Sequence, residues 1–150
     1  LPEIRKRAFV DLAPDTGPNR PHPTVGAICV GARQVLVAYN IWLKNATIDD
    51  GRRIARELRS REVRTLGLQL ADEIQVSMNL VAPDVIGPAD VFDEVAKRAD
   101  IDRAELVGLV PARVLTQIPK SRWSELDLSK EKTIEWCLAA RNRALQNIGE

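Results

Sequence analysis

The sequence predicts an α+β fold, an antiparallel sheet with helices on one face. Three observations carry that prediction. Apolar and polar residues alternate through Ile74–Val81, with Ile74, Val76, Met78 and Leu80 on one side and Gln75, Ser77 and Asn79 on the other. A period of two belongs to a half-buried strand. Two segments carry helical periodicity instead, Asp49–Arg61 and a run opened by Gly87-Pro88. From Val35 to Pro111 the elements follow in the order β-α-β-β-α-β, the ferredoxin-like split arrangement, in which both helices cover one sheet face.

Taken in order, residues 1–13 are basic and then apolar, and read as a short helix or connector. Residues 14–26, PDTGPNRPHPTVG, hold four of the nine prolines and the one histidine. Two β-branched runs follow, Val25–Val30 and Val35–Leu43. The intervening Gly31-Ala-Arg-Gln34 makes them a hairpin, which adds an N-terminal hairpin strand to the sheet. In Asp49–Arg61, Thr47 or Asp49 caps the helix, and Ile54, Ala55 and Leu58 form its apolar stripe. Arg59 and Arg61 suit its C-terminal end. Val63–Leu70 is the next strand, and Asp72-Glu73 turns the chain into Ile74–Val81.

Pro88 stands at the favoured first position of the second helix, whose buried face is Val91, Phe92, Val95, Ala96 and Ala99. Ala104–Val110 is the last strand, ended by Pro111. Ser129 caps a C-terminal helix with the stripe Ile134, Cys137, Leu138, Leu145 and Ile148. The expected division is a connector with the proline-rich loop over 1–26, the βαββαβ unit over 27–111 and a helical extension over 112–150.

Composition narrows the function classes. The apolar share is 45% and the charged share 29%, ordinary values for a globular domain. With 22 basic and 21 acidic residues, net charge is +1, which gives no electrostatic case for nucleic acid or an anionic membrane. No apolar run is long enough for a membrane helix. The basic start lacks the apolar core of a signal peptide, and the missing initiator Met is expected of a fragment. Cys29 and Cys137 sit in apolar patterns and read as buried reduced thiols of a cytoplasmic protein. One His and two isolated Cys give no metal-ligand spacing, so no metal is expected.

Chemistry is sparse. Gly26-Ala-Ile-Cys-Val-Gly31-Ala-Arg33 lacks the Lys-Ser/Thr pair of a phosphate loop and does not open a helix. His22 is the one side chain whose ordinary pKa suits base work near neutrality, but it lies between two prolines with no carboxylate nearby in sequence to orient it. No Ser or Cys has the context of a nucleophile. The row Gln75, Ser77 and Asn79, with Asn40 beside it, is open to two readings: a solvated sheet face, or a polar wall toward a ligand or second domain. Residues 14–26 are stiff by construction, because each proline fixes its own φ and restricts its predecessor. On composition they read as a linker.

Seven segments change that reading. They are Leu1-Pro-Glu-Ile-Arg5, Ala13-Pro-Asp-Thr-Gly-Pro18, Gly26-Ala-Ile-Cys-Val-Gly-Ala-Arg33, Leu36-Val-Ala-Tyr-Asn-Ile-Trp-Leu43, Gln75-Val-Ser-Met-Asn-Leu80, Glu105-Leu-Val-Gly-Leu-Val-Pro111 and Leu128-Ser-Lys-Glu-Lys-Thr-Ile-Glu135. In this order the chain resembles the glutamate formiminotransferase (glutamate formimidoyltransferase) family. It resembles the end of that family's first ferredoxin-like subdomain together with the second. Thr16 stands where an aromatic is usual and Trp42 where a smaller polar residue is. The turns near Ser60 and Asp100 are shorter.

The resemblance implies transfer of a formimino group from N-formimino-L-glutamate to tetrahydrofolate, the co-substrate, in histidine degradation and one-carbon metabolism, with no metal. It implies folate contact by Gly17, Pro18, Asn19, Arg20, Pro21, His22, Pro23, Thr24, Val25 and Gly26, with Arg20 attracted to the glutamate tail. It implies a catalytic histidine from the N-terminal subdomain, at a position that is not His22, so no catalytic residue is assigned within this chain. A homodimer and a cytoplasmic location go with it. The alternative is a non-catalytic folate-binding or assembly module derived from the same enzyme.

Overall fold

The computed structural model describes residues 2–146, with side chains from 3 to 142. The chain divides into two units, residues 1–33 and 34–150. The first contains α1 (Pro2–Arg7) and the proline-rich segment. The second contains β1 (Val37–Leu43), α2 (Ile48–Leu58), β2 (Val63–Leu70), β3 (Glu73–Leu80), α3 (Pro88–Ala96) and β4 (Ile101–Val107). After these come α4 (Ala112–Leu115) and α5 (Ile134–Gln146).

The sheet is antiparallel throughout, in the order β2-β3-β1-β4. β3 separates β1 from β2, and β1 separates β3 from β4, so each β-α-β crossover is split by an intervening strand. The α+β class, the β-α-β-β-α-β order and the strand Val63–Leu70 agree with the sequence expectation. The alternation in β1 buries Val37, Tyr39, Ile41 and Leu43 in one core with Ile54 and Ala55 of α2 and Val91 and Val95 of α3. Both helices therefore lie on one face. α2 starts at a capping box: the Thr47 Oγ1 accepts from the Asp50 N–H at 3.2 Å, and the Asp50 carboxylate accepts from the Thr47 N–H at 3.0 Å. α2 meets β2 backbone to backbone. A Cβ at Gly67 would lie 2.4 Å from Gly51 C and Arg52 N, so only glycine allows the approach.

Residues 112–133 return to this core. Tyr39, fully buried, donates its hydroxyl to the Leu126 carbonyl at 2.9 Å, and burial pushes its phenol above the ordinary range. Asp127 accepts from the Leu106 N–H at 2.9 Å and pairs with Lys132.

Several expectations need correction. The first strand of the N-terminal hairpin does not form: residues 27–36 have no regular structure, and Ile28 and Val30 are 90% and 89% exposed. Both edges of β1 are already taken, by β3 and β4, so a preceding strand cannot pair with β1 as a hairpin. Cys29 is consequently exposed, and Cys137 is only half-buried. β4 ends at Val107, because Gly108 (φ 92°) turns the chain out, and Val110 pairs instead with Thr133. Ala96 faces solvent.

Thr133, not Ser129, caps α5, accepting the Trp136 N–H at 3.2 Å, because residues 130–132 form a separate 3₁₀ turn. On α5 Leu138 is exposed. The Leu145 side chain and Ile148 lie outside the described residues.

Candidate functional site

Residues 14–26 fold on themselves. Gly17 and Gly26 adopt positive φ, 89° and 69°. The Arg20 N–H donates to the Pro18 carbonyl at 2.7 Å, a tight three-residue turn. His22 and Gly26 then close a second turn through two backbone hydrogen bonds, His22 N–H to Gly26 O at 2.8 Å and the reverse at 3.0 Å. Inside that turn the His22 Nδ1 accepts from the backbone N–H groups of Thr24 and Val25, each at 3.3 Å, and lies 3.1 Å from the Thr24 hydroxyl. These donors assign the imidazole hydrogen to Nε2. The basic nitrogen is thus spent on holding the turn, and among the described residues no carboxylate hydrogen-bonds the ring. His22 is a structural residue of the loop. Pro18 to Gly26 are all exposed, so their backbone groups and the Arg20 guanidinium are reachable by a ligand.

The second surface is the sheet face away from α2 and α3. Strand register places two transverse rows on it: Glu105–Asn40–Ser77–Leu66, and Arg103–Trp42–Gln75–Leu68. The expected row of Gln75, Ser77 and Asn79, with Asn40 beside it, is therefore present. Leu66 is 59% exposed, and Leu68, Leu70 and Val107 are also open to solvent, an unusual apolar share for a bare face. A shallow depression of about 400 Å³ borders it at the β2 side, where Arg64, Leu66, Ser77 and Asn79 line it.

Here the structure joins residues far apart in sequence. One oxygen of Glu105, Oε2, accepts both the Asn40 amide N–H and the Trp42 indole N–H, each at 3.1 Å. The Arg103 guanidinium stacks on the Trp42 ring at 4.2 Å and reaches across to Glu73 with two hydrogen bonds, 2.6 and 3.3 Å. That bonding holds the Glu73 carboxyl below the ordinary range. Gln75 keeps only 4% of its surface and makes no side-chain hydrogen bond among the described residues. No buried side-chain N or O lacks a partner there, so its residual surface lies at the amide.

Glu105, Arg103 and Glu73 are absent from the sequence-derived site. The sequence reading starts the last strand at Ala104, which hides the alternation Arg103, Glu105, Val107. Among the described residues no cluster of His, Cys, Asp or Glu could hold a metal ion, and no helix is long and apolar enough to cross a membrane.

No protein-family model matches the chain. It is 32% identical over 136 residues to the glutamate formimidoyltransferase of Streptococcus pyogenes serotype M1, a match covering 83% of this chain and 46% of that protein. It is 36% identical over 133 residues to the formimidoyltransferase-cyclodeaminase of Sus scrofa, covering 77% of this chain and 24% of that protein. The glutamate formimidoyltransferase of Thermoplasma acidophilum is 33% identical over 119 residues, 71% of this chain and 39% of the relative. The matched region spans less than half of each of these relatives.

Proposed function

Starting from a chain whose sequence belongs, over most of its own length, with the glutamate formimidoyltransferases, we propose that it is the folate-binding C-terminal part of such an enzyme. The reaction is transfer of the formimino group of N-formimino-L-glutamate to tetrahydrofolate. The C–N bond to the glutamate nitrogen breaks as a C–N bond to a folate nitrogen forms, and a proton returns to the released amine. An N-terminal formimidoyltransferase subdomain is the partner, and it brings the catalytic histidine. The 150 residues are incompetent alone. Cytoplasmic location and homodimerisation belong to the same reading.

The observation that carries it is the 32–36% identity shared with these enzymes over most of the chain. Two features of the chain's own chemistry support it. Gly17–Gly26 is ordered by its prolines and short hydrogen bonds before any ligand arrives, so little conformational entropy is lost when its backbone groups meet the folate. The chain's share of catalysis is positioning, which in a well-aligned pair of substrates removes about 7–11 kcal/mol of the barrier without an acid or base.

His22 favours a second reading. With its Nδ1 lone pair engaged and no orienting carboxylate among the described residues, the chain's one imidazole is unsuited to proton transfer. A non-catalytic folate-binding module descended from the enzyme would look the same. The two readings separate in one assay of formimino transfer. The enzyme reading expects no turnover by the 150 residues alone and turnover when the N-terminal subdomain of a relative is added. Turnover by the chain alone refutes the need for a second segment. Folate binding with no turnover in the mixture selects the module.

A further inference from the structure

The Glu105 carboxylate is used at one end only. Its Oε2 collects both the Asn40 and the Trp42 donors, while Oε1 has no partner among the described residues. The carboxylate is half-buried, on the face that neither α2 nor α3 covers. Holding an acceptor this way costs side-chain freedom on three residues. It leaves a preoriented, negatively charged oxygen with no hydrogen-bond partner among the described residues.

The strip of open sheet face around it, the slot, runs between two rows of side chains. On one side stand the Trp42 indole and Arg103, which Glu73 pins from two strands away. On the other side the next row across the strands is Val107–Ala38–Asn79, and Ala38 leaves room beside Asn40. Along the row from Glu105 come the Asn40 carbonyl oxygen and the Ser77 hydroxyl, neither with a hydrogen-bond partner among the described residues, and Ser77 also borders the depression at the β2 side. The slot thus offers a charged acceptor, a neutral acceptor and a hydroxyl in line beside a rigid aromatic wall. Three groups of that kind match a planar heterocycle whose edge carries two N–H donors next to a carbonyl.

We propose that Glu105 is a specificity-determining residue of the sheet face: its Oε1 receives the amino-amide edge of a planar nitrogen heterocycle, here the pterin ring of tetrahydrofolate. The choice of pterin rests on the folate reading above, whereas the acceptor slot stands on the residues alone. Charge-assisted hydrogen bonds of this type carry most of the discrimination between ligands that have the donors and ligands that lack them.

Glu105→Gln tests the assignment cleanly. The glutamine carbonyl can still accept both Asn40 and Trp42, but the group offered to the ligand becomes an NH₂ donor. Binding is measured by titration calorimetry with 5-formyltetrahydrofolate, with 6-methylpterin and with p-aminobenzoyl-L-glutamate, which lacks the pterin. An unshifted Trp42 indole signal in NMR and an unchanged melting temperature check that the network and fold persist. Should Glu105→Gln fail that check, Ser77→Ala replaces it, with the same pterin-selective loss expected.

The expected result is a loss of about 10- to 100-fold for both pterin ligands and no change for p-aminobenzoyl-L-glutamate. Equal affinity of wild type and variant for the pterins, an equal loss for all three ligands, or no pterin binding by the wild type overturns the proposal. If 6-methylpterin binds in a Glu105-dependent way and 5-formyltetrahydrofolate does not bind, the slot stands and the folate reading falls. If the folate binds equally to both proteins, the folate reading stands and the slot falls.

Discussion

The proline-rich loop and the four-stranded sheet differ in how far their stabilising contacts reach along the chain. In residues 14–26 every hydrogen bond closes within a few residues, as from Arg20 to Pro18 and between His22 and Gly26. On the sheet, Glu105 holds Trp42 and Asn40 from 63 and 65 positions away, and Tyr39 reaches Leu126 across 87. The loop is rigid because its prolines restrict the unfolded chain as well. The sheet is rigid because burial and register leave no alternative. A ligand-contacting backbone can rest on the first kind of order, whereas a preoriented carboxylate needs the second.

Substitutions that add a single methyl should expose this difference most strongly. Gly67→Ala drives a Cβ into the backbone of α2 and is expected to cost about 3 kcal/mol in urea unfolding. Gly31→Ala, in the other unit, meets nothing within 4 Å and is expected to change stability by less than about 0.5 kcal/mol. Comparable losses at both sites would erase the distinction. Tyr39→Phe comes next: it leaves the Leu126 carbonyl without its buried donor and should cost about 1–2 kcal/mol. Thr47→Ala removes the capping box of α2, and its expected cost is about 1 kcal/mol by thermal melting.

The pH profile sharpens the same contrast. Arg122 lowers the Asp93 carboxyl, Arg103 that of Glu73, Lys97 and Arg98 that of Glu94, and Arg98 that of Glu57. A carboxyl lowered in the folded state contributes stability above its unfolded pKa and loses it as pH falls through the folded value. Melting temperature should therefore be level near neutrality and decline below about pH 4. Tyr39 works in the opposite sense: its phenol is raised by burial, so stability is complete below the ordinary tyrosine range and lost as pH rises beyond it. Both losses belong to residues 34–150. A profile flat from pH 3 to 11 would contradict these assignments.

Legibility in the sequence followed the same division. β2 was readable to the residue and β3 to within one, because a period of two with one buried face leaves a strong local signal. The region 27–36 misled: Ile28 and Val30 have strand propensity, but a strand exists only where a partner edge is free, and propensity says nothing of edges. The loop's stiffness was visible in its prolines, while the use of His22 Nδ1 as the turn's acceptor was not, since side-chain to backbone bonds depend on conformation. The Glu105–Trp42–Arg103 group was invisible for a plainer reason. Its members come from two strands that are neighbours only once the sheet has formed.

The central claim, that this chain binds folate but lacks the catalytic group, is tested most directly by an amide NMR titration of the 150 residues with 5-formyltetrahydrofolate. Saturable shifts at Gly17–Gly26 are predicted, together with no formimino transfer by the same sample given N-formimino-L-glutamate and tetrahydrofolate. Unmoved amides at saturating ligand, or turnover by the chain alone, would contradict it.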